Sequence, residues 1–500
     1  MKRQASWGGR LRPAKRQQQP QAHLPLPLPL PVPLPVPAAA PLHASSPPVV
    51  APAARPPLAL SGGLPTFTTE QVRYHRLRAS YLIDSDLHGP AGLTFLAAAH
   101  FGIQAQESTS AYVSLYQRVA AGAAAWDDDV TDDDKDAGTP PSPVLEQFRD
   151  WFMSNIGLIR IWGQRATLQI YDSADWPHVC AAVGPGIIQT RITSVRSGNV
   201  TGRDSTSELA VGREKVSALL AQGKLVAATD FAELGISPKL AYSVFMCSTV
   251  EGLGARHDHG AGTVSLLAPR SVVAPEEEYP WRTVSLPDAL AEAARRYFKT
   301  YGPAMEEDFR YYMGVSARPS KEAVALLLAT GEISSVVVLP ASSEFLPAVE
   351  TPTLTTGKAK KPKSKSVGAY YIASSSLPLL RQPVPDMTQW PPRLLYRFDP
   401  LFLAHVDKSF WIPAEHKSTT WTKNGMILPT VLTGGRVTGT WTLLQQKKSS
   451  SDKQQTVMSF TVVALPGYPF YEGDVAKALE RQAKGITRFL GGVFGGISFD

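Results

Sequence analysis

At 500 residues the chain is too long for one hydrophobic core, so three or four packed units are expected once tails are set aside. Two cysteines, Cys180 and Cys247, exclude a disulfide framework and a cysteine-based zinc site and fit a reducing compartment, with a single bridge between them left open. The net charge of +7 sits within residues 1–69, which hold seven basic residues and no acid, so any nucleic-acid surface on the remainder has to be a local patch.

Residues 1–66 read as a disordered, Pro-rich basic tail, in which LPLPLPLPVPLPVP from Leu24 to Pro37 favours extended polyproline II. Lys2-Arg3 and Lys15-Arg16 are spaced as the halves of a nuclear signal, so a nuclear location is expected. An acid-free N-terminus also suits a mitochondrial transit peptide, although alternating prolines oppose the helix such peptides need. No apolar run reaches the roughly 18 residues of a membrane span, and no membrane partner is expected.

A first unit is assigned to 67–205. Thr68 followed by Gln71 is a capping box, and Val72, Leu77 and Leu82 give a helical stripe. A second helix from Gly92 to His100 is broken by Gly102, and a third runs through Tyr116. Helix, glycine turn and helix make the first half of a winged helix. The run DDDVTDDDKD within the insertion 127–143 is read as a solvated acidic loop, lacking the glycine and distal Glu of a calcium site. Leu158 to Trp162 and Ala166 to Tyr171 follow as strands, with Asp172 or Ser173 capping the next helix.

A second winged unit, 206–285, has helices at Val211–Gln222, Thr229–Leu234 and from Ser237 to Met246, then a wing whose hairpin carries Arg256, His257 and His259. The His257-Asp258-His259 pattern could hold a metal, but no third ligand stands nearby, so no metal site is assigned. The third unit, 286–384, has helices at Ala289–Tyr301, after Gly302-Pro303, and at Lys321–Leu328, with a Lys-rich loop at 351–366.

The C-terminal region, 385–500, is β-rich. Gly434-Gly435 between Val431-Leu432 and Val437–Leu443 marks a hairpin, and Asn424-Gly425 between Trp421 and Ile427 marks another. Tyr396, Trp411, Trp421 and Trp441 are expected mostly in its core, with one of the barrel aromatics left for stacking on DNA. The stretch from Lys447 to Gln455 is read as a polar loop.

Seven pieces fall in order here: FDP at 398–400, LAHVDKS at 403–409, EHK at 415–417, NG at 424–425, PTVL at 429–432, GGRV at 434–437 and GTW at 439–441. Together they resemble the C-terminal end of the winged-helix DNA glycosylases of the AlkZ and YcaQ type, and YGPAMEEDFRYYMGV at 301–315 resembles the same family. The resemblance implies an α+β fold of about three tandem winged-helix units followed by a small C-terminal β-barrel, with a barrel hairpin that reaches into DNA. It also implies that Gln104 and Gln106, flanking Ala105, are the catalytic pair, and that Gln169 stands where relatives tend to carry histidine.

An amide has no pKa near neutrality and cannot act as a general base. It can orient a water through its carbonyl oxygen and present a dipole to developing positive charge, which suffices when the leaving group is already cationic. The expected function is therefore a monofunctional DNA glycosylase hydrolysing the N-glycosidic bond of alkylated purines, with unhooking of cross-links as an extension. No lysine stands beside the motif in sequence, so no Schiff base is expected. Glu107 is a candidate assisting acid. Arg256, His257, His259, His416, Lys417, Lys423 and Arg436 are the candidate DNA contacts; His405 and Asp407 are open between structural and DNA-facing roles. Double-stranded DNA is the expected partner of a monomer, with no cofactor, no metal and no nucleotide. The alternative is a non-catalytic winged-helix transcription or chromatin protein.

Overall fold

The computed structural model describes residues 63–87, 89–119, 157–259, 263–267, 284–339, 369–422, 425–450 and 453–500. The tail, the acidic insertion and the Lys-rich loop at 351–366 therefore lie outside the described residues. Residues 62–500 form one compact unit of mixed α and β structure.

The described residues open with a two-residue strand, β1 (Thr66–Phe67), and α1 (Thr69–Ala79). The expected capping box is present: Thr68 Oγ1 accepts from Gln71 N at 3.1 Å while Gln71 Oε1 accepts from Thr68 N at 2.9 Å. After α2 (Gly89–Ala99), Gly102 adopts φ +98°, and a Cβ there would lie 2.5 Å from the Tyr171 ring, so glycine is required both for the turn and for that ring's packing. There follow β2 (Ile103–Gln104), α3 (Ser108–Val119), β3 (Leu158–Trp162), β4 (Leu168–Asp172) and α4 (Trp176–Arg196). Asp172 caps the single 3-10 turn that leads into α4, accepting from Ala174 N at 3.0 Å.

Next come α5 (Thr206–Ala221), β5 (Val226–Ala227), α6 (Ala241–Val250) and the hairpin β6 (Ala255–His259) and β7 (Thr263–Leu267); the helices and hairpin keep the expected order, β5 is additional, and the helix expected at Thr229–Leu234 is a single 3-10 turn at Ala228–Phe231. These strands do not stand alone. They join the earlier hairpin in one six-stranded sheet, β2-β4-β3-β6-β7-β5, sewn together at a single registered pair, Arg160 with Arg256. Helices α7 (Leu286–Thr300), α8 (Glu306–Met313) and α9 (Ala317–Ala329) precede β8 (Ile333–Val338) and β9 (Tyr370–Ala373). In this second sheet β1 adds to β8 in parallel, a pairing that two residues at the chain's start gave no sign of.

The C-terminal region holds β10 (Arg393–Leu395), β11 (Thr430–Thr433), β12 (Arg436–Ser450), β13 (Lys453–Ala464), α10 (Gly473–Phe489) and β14 (Val493–Phe499). Gly434 and Gly435, at φ 51° and 69°, make the β11–β12 turn as expected. Trp421 bridges Ile427 across the second predicted turn, whose Asn424 lies outside the described residues. Two expectations need correction. The small barrel is not closed: among the described residues the sheet is open, in the order β10-β11-β12-β13-β14, with α10 laid against it through Leu479, Ala483 and Ile486. The polar stretch from Lys447 is not a loop either, since β12 and β13 stay in antiparallel register out to Ser450 and Lys453. Backbone pairing carries a two-stranded ribbon beyond the sheet even where no apolar pattern announces it.

One large core runs from Phe101 through Trp176, Phe245 and Tyr297 to Ala404, and a second joins α2 and α3 to the C-terminal sheet. Between them lies a buried bidentate pair: Arg118 Nη1 and Nη2 donate to Asp399 Oδ2 and Oδ1 at 2.9 and 2.8 Å, with both side chains fully excluded from solvent. Cys180 and Cys247 are free thiols.

Candidate active site

Gln104 sits on β2, the edge strand of the six-stranded sheet, opposite Gln169 on β4. Antiparallel partners project to the same face, so the two glutamines share it. Gln169 is buried and turns its Nε2 to Thr167 Oγ1 at 2.8 Å, which occupies it within its own strand. Gln104 is 9% exposed, and its Oε1 accepts from Arg165 Nη2 at 3.0 Å. Gln106 is exposed, and its Oε1 accepts from the Leu168 backbone N–H at 3.2 Å, prolonging the ladder after β2 has ended. Between them Ala105 is anchored through its own backbone, donating to Leu168 O at 2.7 Å and accepting from Arg160 Nε at 3.1 Å and Nη2 at 2.6 Å. The motif is thus clamped from both sides of β4 with its glutamine side chains at the edge.

The β3–β4 turn supplies Arg165 in a left-handed conformation, φ 56° and ψ 24°, followed by Ala166 at φ 55°. Consecutive non-glycine residues at positive φ cost about 1–2 kcal/mol each. The turn is held by Gln164, which is buried, donates to Phe101 O and accepts from the Tyr171 hydroxyl. From the other side Gly314, which ends α8, presses on it so closely that a Cβ would lie 2.9 Å from Arg165 N. Tyr312 on α8 donates to the carbonyls of His100 and Gly102, at 2.5 and 3.1 Å, fixing the approach to β2.

A strip of alternating cations and rings leads away from Gln104. The Arg165 guanidinium lies 5.4 Å from the Tyr311 ring centre; Lys408 Nζ lies 4.7 Å from that ring and 5.0 Å from the ring of Trp421. Trp421 is half-buried, whereas Trp411 and Trp441 are fully buried. Lys408 is only 6% exposed and donates to His405 O. Burial, reinforced by the Arg165 charge, lowers its pKa to about 7 against the opposing pull of Asp308. Sequence separation hid this lysine, although it stands in the LAHVDKS piece where His405 and Asp407 drew notice. Arg165 was equally hidden, in a turn read only as part of a wing; its one sign was a charged residue between two strands that border the motif.

Of the other expected site residues, Arg256 is half-buried at the sheet joint, opposite Arg160 and 6.0 Å from the Trp162 ring, away from the wing tip. His257 and His259 lie on β6, and their side chains are outside the described residues, as is Lys423. His416 is buried against Tyr468, ring centres 6.0 Å apart, so packing rather than a surface contact occupies it. Lys417 is exposed one residue on, and Arg436 is half-buried at the start of β12. His405 is buried with Nε2 3.1 Å from Tyr301 O, and burial holds its pKa well below the usual histidine value: a structural role. Asp407 caps Ser409 N at 2.9 Å. Glu107 pairs with Arg397 at 3.7 Å and accepts from Ser110 Oγ at 3.2 Å, and no hydrogen bond joins it to Gln104 or Gln106 among the described residues.

A family model described as DNA glycosylase AlkZ-like matches residues 153–489, a span that includes Arg165, Tyr311 and Lys408 and begins after the glutamine pair. Among solved structures, the Streptomyces sahachiroi DNA glycosylase AlkZ is similar in fold, with a TM-score of 0.60 and 17% identity over 86% of this chain and 99% of that one. No curated protein matches the chain by sequence.

Proposed function

The chain belongs to the AlkZ-like DNA glycosylase family, and from that premise we propose that it excises alkylated, cationic purines from double-stranded DNA by hydrolysis. What carries the reading is the pair Gln104 and Gln106 on a sheet edge, Gln104 nearly buried on Arg165 and Gln106 exposed, with no carboxylate bonded to either among the described residues. Neutral amides supply hydrogen bonds, not proton transfer, so the base has to be primed by its own charge. Water oxygen bonds to C1′ as the glycosidic electron pair withdraws into the purine and cancels its positive charge; the water proton passes to solvent. Unhooking of cross-links joined through such a purine follows from the same step.

In this reading the three helix sets and their hairpins act as winged-helix units that seat the duplex. The exposed Lys417 meets phosphates, Arg436 and Arg256 add positive charge elsewhere, and the β12–β13 ribbon enters a groove. Lys408 is locked between two rings and a carbonyl, so the enzyme is monofunctional. Borohydride is expected to trap no covalent complex with damaged DNA; a trapped complex lost in Lys408→Met refutes this.

The deciding experiment incubates the protein with a duplex carrying a single 7-methylguanine, cleaves abasic sites with alkali and resolves the strands. Wild type should convert the substrate, while Gln104→Ala should lose about 100-fold or more in single-turnover rate and keep duplex affinity. A protein that binds the duplex but makes no abasic site would be a non-catalytic winged-helix binder.

A further inference from the structure

The geometry constrains which end of each glutamine amide is left to meet the substrate. A guanidinium carries only donors, so the Gln104 amide atom 3.0 Å from Arg165 Nη2 has to be oxygen. The same holds at Gln106, whose oxygen faces a backbone N–H. Both amides therefore give one oxygen lone pair to the protein, whereas neither Nε2 has a hydrogen-bond partner among the described residues, so both N–H bonds of each are open to substrate. We infer that Arg165 is a positioning residue that fixes the Gln104 amide so that substrate meets its N–H pair, a donor to an electron-rich acceptor. The inference rests on the reading that Gln104 stands at the excision site.

Three observations support it. Arg165 is kept at φ 56°, a conformation glycine would adopt without strain, and the turn is enforced from outside by Gly314 and Gln164. Strain of this kind persists where a side chain has to be aimed. Second, Arg165 Nε is buried without a hydrogen-bond partner, and no carboxylate pairs with this guanidinium among the described residues. Third, the Arg165 guanidinium lies against the Gln104 amide and over the Tyr311 ring, so the field around the amide is positive and favours an acceptor rather than a developing cation. The acceptor chemistry, an oxygen or nitrogen lone pair, can come from a phosphate flanking the extruded nucleotide or from the acceptor edge of the departing purine.

The test is the isosteric Gln104→Glu, which exchanges the N–H pair for a second oxygen. If the carbonyl did the work, the carboxylate would match or exceed wild type. The donor role instead predicts a single-turnover excision rate as low as that of Gln104→Ala, with duplex Kd within threefold and an unchanged melting temperature. Arg165→Met should lower the rate at least tenfold at constant Kd, Arg165→Lys should recover part of it, and in a Gln104→Ala background Arg165→Met should cost less than twofold more. Additive losses, or a fully active Gln104→Glu, overturn the inference. If Gln104→Ala excises normally, the site assignment itself fails, an outcome distinct from failure of the Arg165 role. The source is told apart with a neutral methylphosphonate at the flanking position and with a 3-deaza purine. The analogue on which Gln104→Ala no longer carries a penalty identifies the acceptor, and a penalty undiminished on both overturns the donor role.

Discussion

At the scale of single residues, three features make sharp claims about stability. Ala166 sits at φ 55° beside Arg165, half-buried at the margin of the large core, where a single methyl contributes less than the left-handed backbone costs. Ala166→Gly is therefore expected to raise the unfolding free energy by about 1 kcal/mol, measured as a shift in the urea midpoint at constant slope. Lys408 gives a pH signature. Its folded pKa of about 7 lies below the ordinary 10.5, so between these values the unfolded chain binds the extra proton. Stability then rises as pH increases from about 7 toward 10, by of order 1 kcal/mol per pH unit at most, and the penalty is complete below 7. Urea denaturation at pH 7, 8 and 9 should show that rise in wild type and a flat profile in Lys408→Met; a rise of equal size in the variant would assign it to other groups. The Arg118–Asp399 pair makes a third claim. Removing one partner strands the other charge, so Arg118→Met or Asp399→Asn alone should cost about 3–5 kcal/mol, whereas a double replacement by apolar residues should recover much of that loss.

At the scale of elements, local chemistry was legible and distant geometry was not. The capping box at Thr68, the helix stop at Gly102, the start of α7 before Asp288 and the Gly434-Gly435 turn all depend on neighbours within about four residues, which a sequence displays directly. Arg165 depends on a backbone angle that its side chain does not advertise and on a partner 61 residues away. Lys408 reaches the same neighbourhood from still further along the chain. The open C-terminal sheet and the joining of two hairpins through Arg160 and Arg256 are likewise properties of pairing between segments, where periodicity is silent. The β12–β13 ribbon carries its own prediction. Replacing residues 447–456 with an Asn-Gly turn, joining Gln446 to its partner Val457, should leave the melting temperature within a few degrees because those residues pair mainly with each other. Duplex binding should weaken at least tenfold and the log–log salt slope should shrink by about 1–3, since Lys447, Lys448 and Lys453 go with it. Unaltered binding would remove the ribbon from the DNA interface.

At the scale of the whole molecule, the cores do not respect the helix sets. The cluster from Phe101 to Ala404 draws side chains from all three, and the second cluster ties α3 to α10, where Tyr116 stacks on Phe489 at 4.5 Å. Residues 62–500 should accordingly melt in one transition, with far-UV circular dichroism and tryptophan fluorescence superimposing; two separated transitions would show that the parts hold together independently. The first strand sharpens the point. Phe67 and Thr66 find their partners only at Val338 and Val337, and Thr69 Oγ1 donates to Leu339 O across 270 residues at 2.7 Å. A ribosome adding about 5–20 residues per second takes roughly 15–50 s to deliver that partner. Throughout that interval a Phe side chain and an unmatched backbone edge wait in the open, so the growing polypeptide needs shelter from its earliest pages of text to its middle, and a stalled or prematurely ended message yields a product that cannot close.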